Sequence, residues 1–289
     1  MCHKLKRKVA ASEIAEWCGL TLLGIDFSVE CVAPLSERGD GVLCFAKTIP
    51  DQPVQDRMIL IANEAAVEKA PCVLVAANPR LEFARVLDHI DKKVGFLRPI
   101  AAPIIHPTAQ VSPQAFIAPG VEIGARSLVL PFAFIGEGTH IGTDCVIKSG
   151  AVIGQDGFGF ERDEDGLPLR LVHLGFVAIG NHVEVGSLTT VCRGTLGNTV
   201  IEDHAKVDDH VHVAHNVHIG VGAMVVACAE LSGGVVLGRG AWIGPNSNVI
   251  QQKRIGAGAL VGIGSNVLKD VPDGVTVAGN PARQLVHGN

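Results

Sequence analysis

Aliphatic residues return at every sixth position through most of this chain. From Ile105 the step gives Val111, Ile117, Ile123, Val129, Ile135, Ile141, Ile147 and Ile153 without a miss. It resumes at Ile179, Val185 and Val191, then slips by four residues around "TLGNTV". From Ile201 it continues through Val207, Val213, Ile219, Val225, Leu231, Leu237, Ile243, Val249, Ile255, Val261 and Val267. A helix repeats every 3.6 residues and a strand every 2, so neither generates this series. A period of six predicts a hexapeptide-repeat, left-handed parallel β-helix over residues 101–289. Each hexad supplies a short strand and a turn, and three hexads close a triangular coil of about eighteen residues. The aliphatic points inward and stacks on its counterpart one coil away, because no coil can bury its face alone. Gly124, Gly136, Gly142, Gly220, Gly244 and Gly256 are expected at the tight turns, where glycine is unhindered.

The period breaks at "DGFGFERDEDGLPLRLVHLG", Asp156 to Gly175. This stretch is polar and too long for a coil turn, so a loop leaving the solenoid is expected over 156–175. Residues 1–100 lack the hexad and read as a small α/β domain. In "ASEIAEWCG", Ser12 is the expected N-cap and Gly19 the stop. In "NPRLEFARVLDHI", Asn78 caps a helix with Pro79 at its first position, and Leu81, Ala84, Val86 and Leu87 form its apolar stripe. "GVLCFA", "MILIA" and "CVLVAA" read as strands, and "FLRPIAAPI" as the link to the β-helix.

The net charge of −5 argues against a general nucleic-acid surface. Eight cysteines are scattered without a C-x-x-C pair, as expected of reduced thiols in a cytoplasmic protein. The start "MCHKLKRKVAASEIAEW" has no apolar core of a secretory signal, and no apolar run approaches the roughly 18 residues of a membrane span.

The densest polar stretch is "VDDHVHVAHNVHIG", Val207 to Gly220. His210, His212, His215 and His218 fall at different places in their hexads, so they do not converge on one point as the three or four ligands of a zinc site must. No metal is expected; His182, His204, His212 and His218 suit solvated edges. His215 differs, being directed outward with Gly233 stacked on it one coil along. A glycine over a histidine leaves an open groove and presents a backbone N–H beside the imidazole. That pair can serve as general base and oxyanion donor for acyl transfer.

The stretch from Val152 to Gly220 resembles the UDP-3-O-(3-hydroxyacyl)glucosamine N-acyltransferase family of lipid A synthesis. The likeness rests on the DGFG loop, the RG-x-L-x-x-T-x-I segment and the AHN-x-x-IG core; "GVLCFA" looks like that family's G-x-L-T-F motif in a uridine-binding domain. It implies His215 as catalytic base, Gly233 as oxyanion glycine and Phe45 as the aromatic stacking on uracil. Asp156, Asp209, Asn216 and Gln252 are the further expected substrate-binding residues.

The chain departs from the family in places. Gln251-Gln252 replaces a G-H pair, Asp209 an asparagine, Cys192-Arg193-Gly194 a D-R-G triplet, and Thr48 an asparagine near the uridine pocket. In place of a C-terminal helical extension it has "VAGNPAR", which looks like the ending of CoA-dependent hexapeptide acetyltransferases.

These features together predict acyl transfer from a thioester, on CoA or acyl carrier protein, to the amine of a UDP-linked amino sugar. The expected assembly is a cytoplasmic homotrimer without a tightly bound cofactor. Asp208 or Asp209 is expected to orient His215. A short or hydroxylated acyl group is favoured by the polar Gln251-Gln252 pair and the missing extension. The alternatives are a hexapeptide acyltransferase with another acceptor and a zinc-binding β-helix of carbonic-anhydrase type.

Overall fold

The computed structural model describes residues 2–37, 39–48, 53–54, 57–98 and 101–285. Two compact units are distinguished. One comprises Pro99–Phe158, Gly175–Gly194 and Asn198–Asn289; the other comprises Met1–Arg98, Gly159–Leu174 and Thr195–Gly197.

The first unit is a parallel solenoid. Its strands, mostly two residues long, form sheets of eight, ten and eight members. The first residue of each pair faces out and the second faces in, as the period of two along a strand requires. Thus Ile123, Ile141, Ile179, Ile201, Ile219, Leu237 and Ile255 stack on one inner face. All are buried, each contributing about 1.5–3 kcal/mol by leaving water. Ile105 sits in the terminal strand of that sheet and stays 41% exposed. The stacking offset is 18 residues in regular coils, 38 across the long insertion and 22 across "TLGNTV".

Glycine serves this unit differently from the expectation. Gly124, Gly136, Gly142, Gly220, Gly244 and Gly256 do not have positive φ. They are required because the next coil passes too close: a methyl on Gly124 would lie 2.5 Å from the Gly142 carbonyl oxygen. The left-handed corner positions are taken instead by residues such as Gly234 (φ 71°), His210 (φ 58°) and Asn216 (φ 61°). Histidine and asparagine are among the side chains that tolerate this conformation best. Part of the histidine density is therefore corner geometry.

The second unit begins with β1 (His3–Ala10), α1 (Ala11–Cys18), β2 (Thr21–Gly24) and β3 (Ser28–Val32). It continues through β4 (Val42–Phe45), β5 (Ile59–Ala62), β6 (Cys72–Val75) and α2 (Pro79–Lys93). The sheet order is β1-β3-β4-β5-β6-β2, with β3 to β6 parallel and the two edges antiparallel. Leu43, Ile59, Ile61 and Leu74 pack on one side with Ile14, Phe83, Leu87 and Ile90 of the helices. Cys44, Leu60 and Val73 pack on the other with Met58 and Val54. Both faces are covered, so these strands read as continuous apolar runs.

Asn78 caps α2 through the Leu81 N–H, and Gly19 ends α1 in the left-handed region, as expected. Ser12 does not cap α1. The N-cap is Ala10, and the Ser12 hydroxyl and N–H both donate to Asp26. Strands β1, β2 and β3 were not foreseen; in β1 the basic residues hide an alternation that buries His3, Leu5 and Val9.

Two further expectations are corrected. The 156–175 stretch is not simply a loop leaving the solenoid. Gly159–Leu174 belongs to the second unit and folds as a hairpin pairing Phe160–Arg162 with Pro168–Arg170. Leu171, Val172 and Leu174 join the core beside α2, while Glu161 and Glu164 pair with Arg80 and Arg85. Nor are all cysteines reduced. Cys2 and Cys31 form a disulfide, their Cα atoms 5.7 Å apart across the antiparallel edge, leaving six free thiols.

Candidate active site

Val213 ends a solenoid strand, and the chain then turns a corner through Ala214, His215 and Asn216. This presents the His215 ring on the outside of the coil, half-buried. Two glycines bracket it. A methyl on Gly233 would lie 2.8 Å from Cε1 and 2.9 Å from Nε2 of His215. A methyl on Gly157 would lie 3.2 Å from the His215 Cβ and Cδ2. The ring thus occupies space that a side chain at either position would need. Gly234 donates to the His215 carbonyl at 3.0 Å and fixes the corner, while the Gly233 N–H donates to no acceptor among the described residues.

The imidazole Nδ1 lies 3.1 Å from Asn216 Oδ1. With Nδ1 carrying the proton, Nε2 presents a lone pair toward the Gly233 side, the form a general base requires. Among the described residues neither Asp208 nor Asp209, expected to orient the ring, is hydrogen-bonded to it. Asp209 accepts from the Ser187 N–H at 2.7 Å and Asp208 from the Ala227 N–H at 3.1 Å. Both carboxylates hold turns elsewhere on the coil.

The remaining expected residues divide. Asp156 is exposed and immediately precedes Gly157. Gln252 stacks one coil beyond Gly234, its N–H donating to the Gly233 carbonyl at 3.0 Å. His215, Asn216, Gly233, Gln252 and the Asp156-Gly157 turn therefore belong to one region of the solenoid. Phe45 lies in the other unit, half-buried, its ring 4.8 Å from that of Phe83.

The other histidines have separate partners. His212 Nδ1 meets Thr190 Oγ1 at 2.7 Å, His218 meets Glu202 at 2.9 Å, and His182 stacks on His204 at 4.7 Å. Among the described residues no group of three or more His, Cys, Asp or Glu could hold a metal ion. Among them, too, no helix is long and apolar enough to cross a membrane.

Cys192 lies beneath the same site, its Cβ 3.3 Å from a methyl placed on Gly157. Burial, helped by the Asp156 charge, pushes its thiol up to about 11, so it stays protonated at neutral pH and is no nucleophile. Arg193 is buried; its Nε donates to the Gly175 carbonyl at 2.7 Å and its guanidinium lies 5.2 Å from the Phe176 ring. It binds together the coils where the repeat is interrupted.

Residues 120–155 match the bacterial transferase hexapeptide family model of six repeats. The chain is 33% identical to the UDP-3-O-acylglucosamine N-acyltransferase of Saccharophagus degradans, over 76% of its own length and 73% of that protein. It is also 33% identical to the enzyme of that name from Coxiella burnetii, over 77% and 74%. This chain belongs to the UDP-3-O-acylglucosamine N-acyltransferase family. Among solved structures it resembles the UDP-N-acetylglucosamine O-acyltransferase of Moraxella catarrhalis. There the TM-score is 0.53 at 26% identity, covering 64% of this chain and 72% of that one. The Arabidopsis UDP-N-acetylglucosamine acyltransferase gives a TM-score of 0.52 at 25% identity, with the same coverage. The left-handed hexapeptide β-helix expected from the period of six is the fold of this family member.

Two residues at the site stand in the DGFG loop and the RG-x-L-x-x-T-x-I segment but carried no role of their own in the sequence. Gly157 was read only as part of a loop. Thr199, whose hydroxyl accepts the Asn216 N–H at 2.9 Å, lies 17 residues back rather than 18. Counting one regular coil back from Asn216 lands on Asn198, one residue short of it.

Proposed function

We propose that this chain is an N-acyltransferase moving an acyl group from a thioester to the amine of a UDP-linked amino sugar in lipid A biosynthesis. The observation that carries the mechanism is the His215 ring held between Gly157 and Gly233, with the Gly233 N–H donating to no acceptor among the described residues. The sugar amine attacks the thioester carbonyl carbon, forming the C–N bond, and His215 Nε2 accepts the proton the nitrogen loses. The Gly233 N–H donates to the oxyanion, an interaction worth about 3–4 kcal/mol at comparable sites. Collapse breaks the C–S bond, and the departing thiolate takes the proton back from His215. Asn216 holds the imidazole in the basic tautomer.

Around this centre we assign Asp156 and Gln252 to the acceptor and donor groove, and Phe45 to a uracil-binding surface on residues 1–100. Asp209, which accepts from the Ser187 N–H and lies 3.9 Å from Lys148 Nζ, remains a further substrate-binding candidate. The donor is an acyl thioester on CoA or acyl carrier protein, and the chain needs no tightly bound cofactor. We further infer a homotrimer. Met224, Trp242 and Leu260 form an outward ladder, 38%, 38% and 40% exposed, that an assembly would cover. We place the enzyme in the cytoplasm, where thioester donors are made.

Purified protein supplied with a UDP-amino sugar and an acyl thioester should form an amide and release thiol in equal amounts. Absence of both across short-chain CoA and long-chain carrier donors would overturn the reading. Light scattering should give three times the 30.2 kDa chain mass; a monomer would remove the trimer.

A further inference from the structure

We propose that Thr199 is a positioning residue for the base, acting on His215 through Asn216; this rests on His215 being the base. Thr199 is fully buried, and its Oγ1 accepts the Asn216 backbone N–H at 2.9 Å. Asn216 is the left-handed corner residue of its coil at φ 61°, and the Thr199 bond fixes the N–H of that corner. That conformation turns the Asn216 side-chain oxygen onto His215 Nδ1 at 3.1 Å. The order is therefore hydroxyl, corner backbone, amide, imidazole.

Buried hydroxyls reach the next coil elsewhere, which supplies an internal comparison. Ser127 Oγ accepts the Cys145 N–H at 3.0 Å and Ser247 Oγ accepts the Ser265 N–H at 3.2 Å, each across 18 residues. Those bonds end on the residue just after a left-handed corner, Asp144 or Gly264, and just before a strand. The Thr199 bond spans 17 residues and ends on the left-handed corner residue next to the imidazole. The strand that holds Thr199 stacks on the next coil at the regular offset, Val200 on His218 and Ile201 on Ile219, so the bond reaches one residue short of the register partner Val217.

The test compares Thr199→Val, Thr199→Ser, Asn216→Ala, the Thr199→Val/Asn216→Ala pair and Ser127→Ala, with kcat, KM and thermal melting for each. Thr199→Val should lower kcat by about 10- to 100-fold with KM little changed, the cost of a base slightly out of place. Thr199→Ser should restore most of kcat, and the double variant should be no slower than Asn216→Ala alone. Ser127→Ala should lower the melting temperature and leave kcat near wild type. Wild-type kcat in Thr199→Val, or additive losses in the double variant, would overturn the proposal. Should Thr199→Val fail to fold, Thr199→Ser and Thr199→Ala decide by the same criterion of kcat with the hydroxyl present and absent. Loss of turnover in His215→Ala beside wild-type turnover in Thr199→Val would remove this inference and leave the base intact. Wild-type turnover in His215→Ala would remove the base itself.

Discussion

The coils from Leu231 to Val267 and those from Ile153 to Asn216 are built from the same hexads, yet they differ in one respect. Within the first set paired strands sit 18 residues apart, and the inner stack runs unbroken. In the second, the insertion after Gln155 and the slip at Thr195–Gly197 stretch the offsets to 38 and 22. Regular stacking repeats one solution to burial and leaves little room for a unique constellation. The insertion brings Gly157 beside His215, and the coil that follows the slip carries Thr199, whose hydroxyl accepts the Asn216 N–H next to that ring. Variants should accordingly separate into those that change turnover and those that change stability.

The largest effect is expected at the interrupted coils. His215→Ala should lower turnover by roughly 10²–10⁴, the usual contribution of a general base. The ring faces outward, so the melting temperature should barely move. A turnover loss tracked by unfolding would blur the distinction between the two sets of coils. Next comes Gly233→Ala, whose methyl would meet His215 Cε1 at 2.8 Å. Displacing the base and crowding the oxyanion donor should cost about 10²-fold in kcat. Gly157→Ala, with its contacts at 3.2 Å or more, should cost less. The reverse ranking would contradict the bracketed geometry.

In the regular coils the expectation inverts. Ile243 is fully buried in the inner stack, between Val225 and Val261. Ile243→Ala should destabilise by about 2–5 kcal/mol through lost burial and the cavity left behind. The protein still folded should turn over at the wild-type rate. The smallest effect concerns pH. Asp203 accepts from the Asn181 N–H at 2.7 Å, and that hydrogen bond holds its carboxyl below the usual 3.8. A depressed carboxyl contributes stability above its unfolded value and loses it as pH falls through the folded one. Asp203→Asn should therefore melt below wild type at neutral pH, with the gap closing as pH drops below about 3.8. A gap that widens in acid would reverse the sign.

The solenoid was legible because burial imposes one constraint many times, so Ile135 and Ile255 each report the same inner face. The pairing of His215 with Gly233 was legible for the same reason, since they stand one regular coil apart. What lay off the regular register was not: counting lands one residue short of Thr199, and Gly157 carries no periodic mark. Nor could position in sequence choose a partner for His215. Asp208 and Asp209 are closer to it in chemistry than Asn216, yet the corner turns both carboxylates toward other backbones. In the other unit β4, β5 and β6 announced themselves as apolar runs, whereas β1 is an edge strand whose exposed side is basic. Its place beside β3 is a long-range pairing that local composition does not encode.

Transfer to nitrogen is the central claim, and the acceptor tests it most directly. The structural neighbours from Moraxella catarrhalis and Arabidopsis share the fold, and the first is named an O-acyltransferase. Purified protein should be given one acyl thioester and two UDP-sugars that differ only in an amine or a hydroxyl at the acceptor position, with products resolved by mass. Acylation of the amine alone, abolished in His215→Ala, is the predicted result. Acylation of the hydroxyl sugar at a comparable rate would contradict the assignment of an N-acyltransferase.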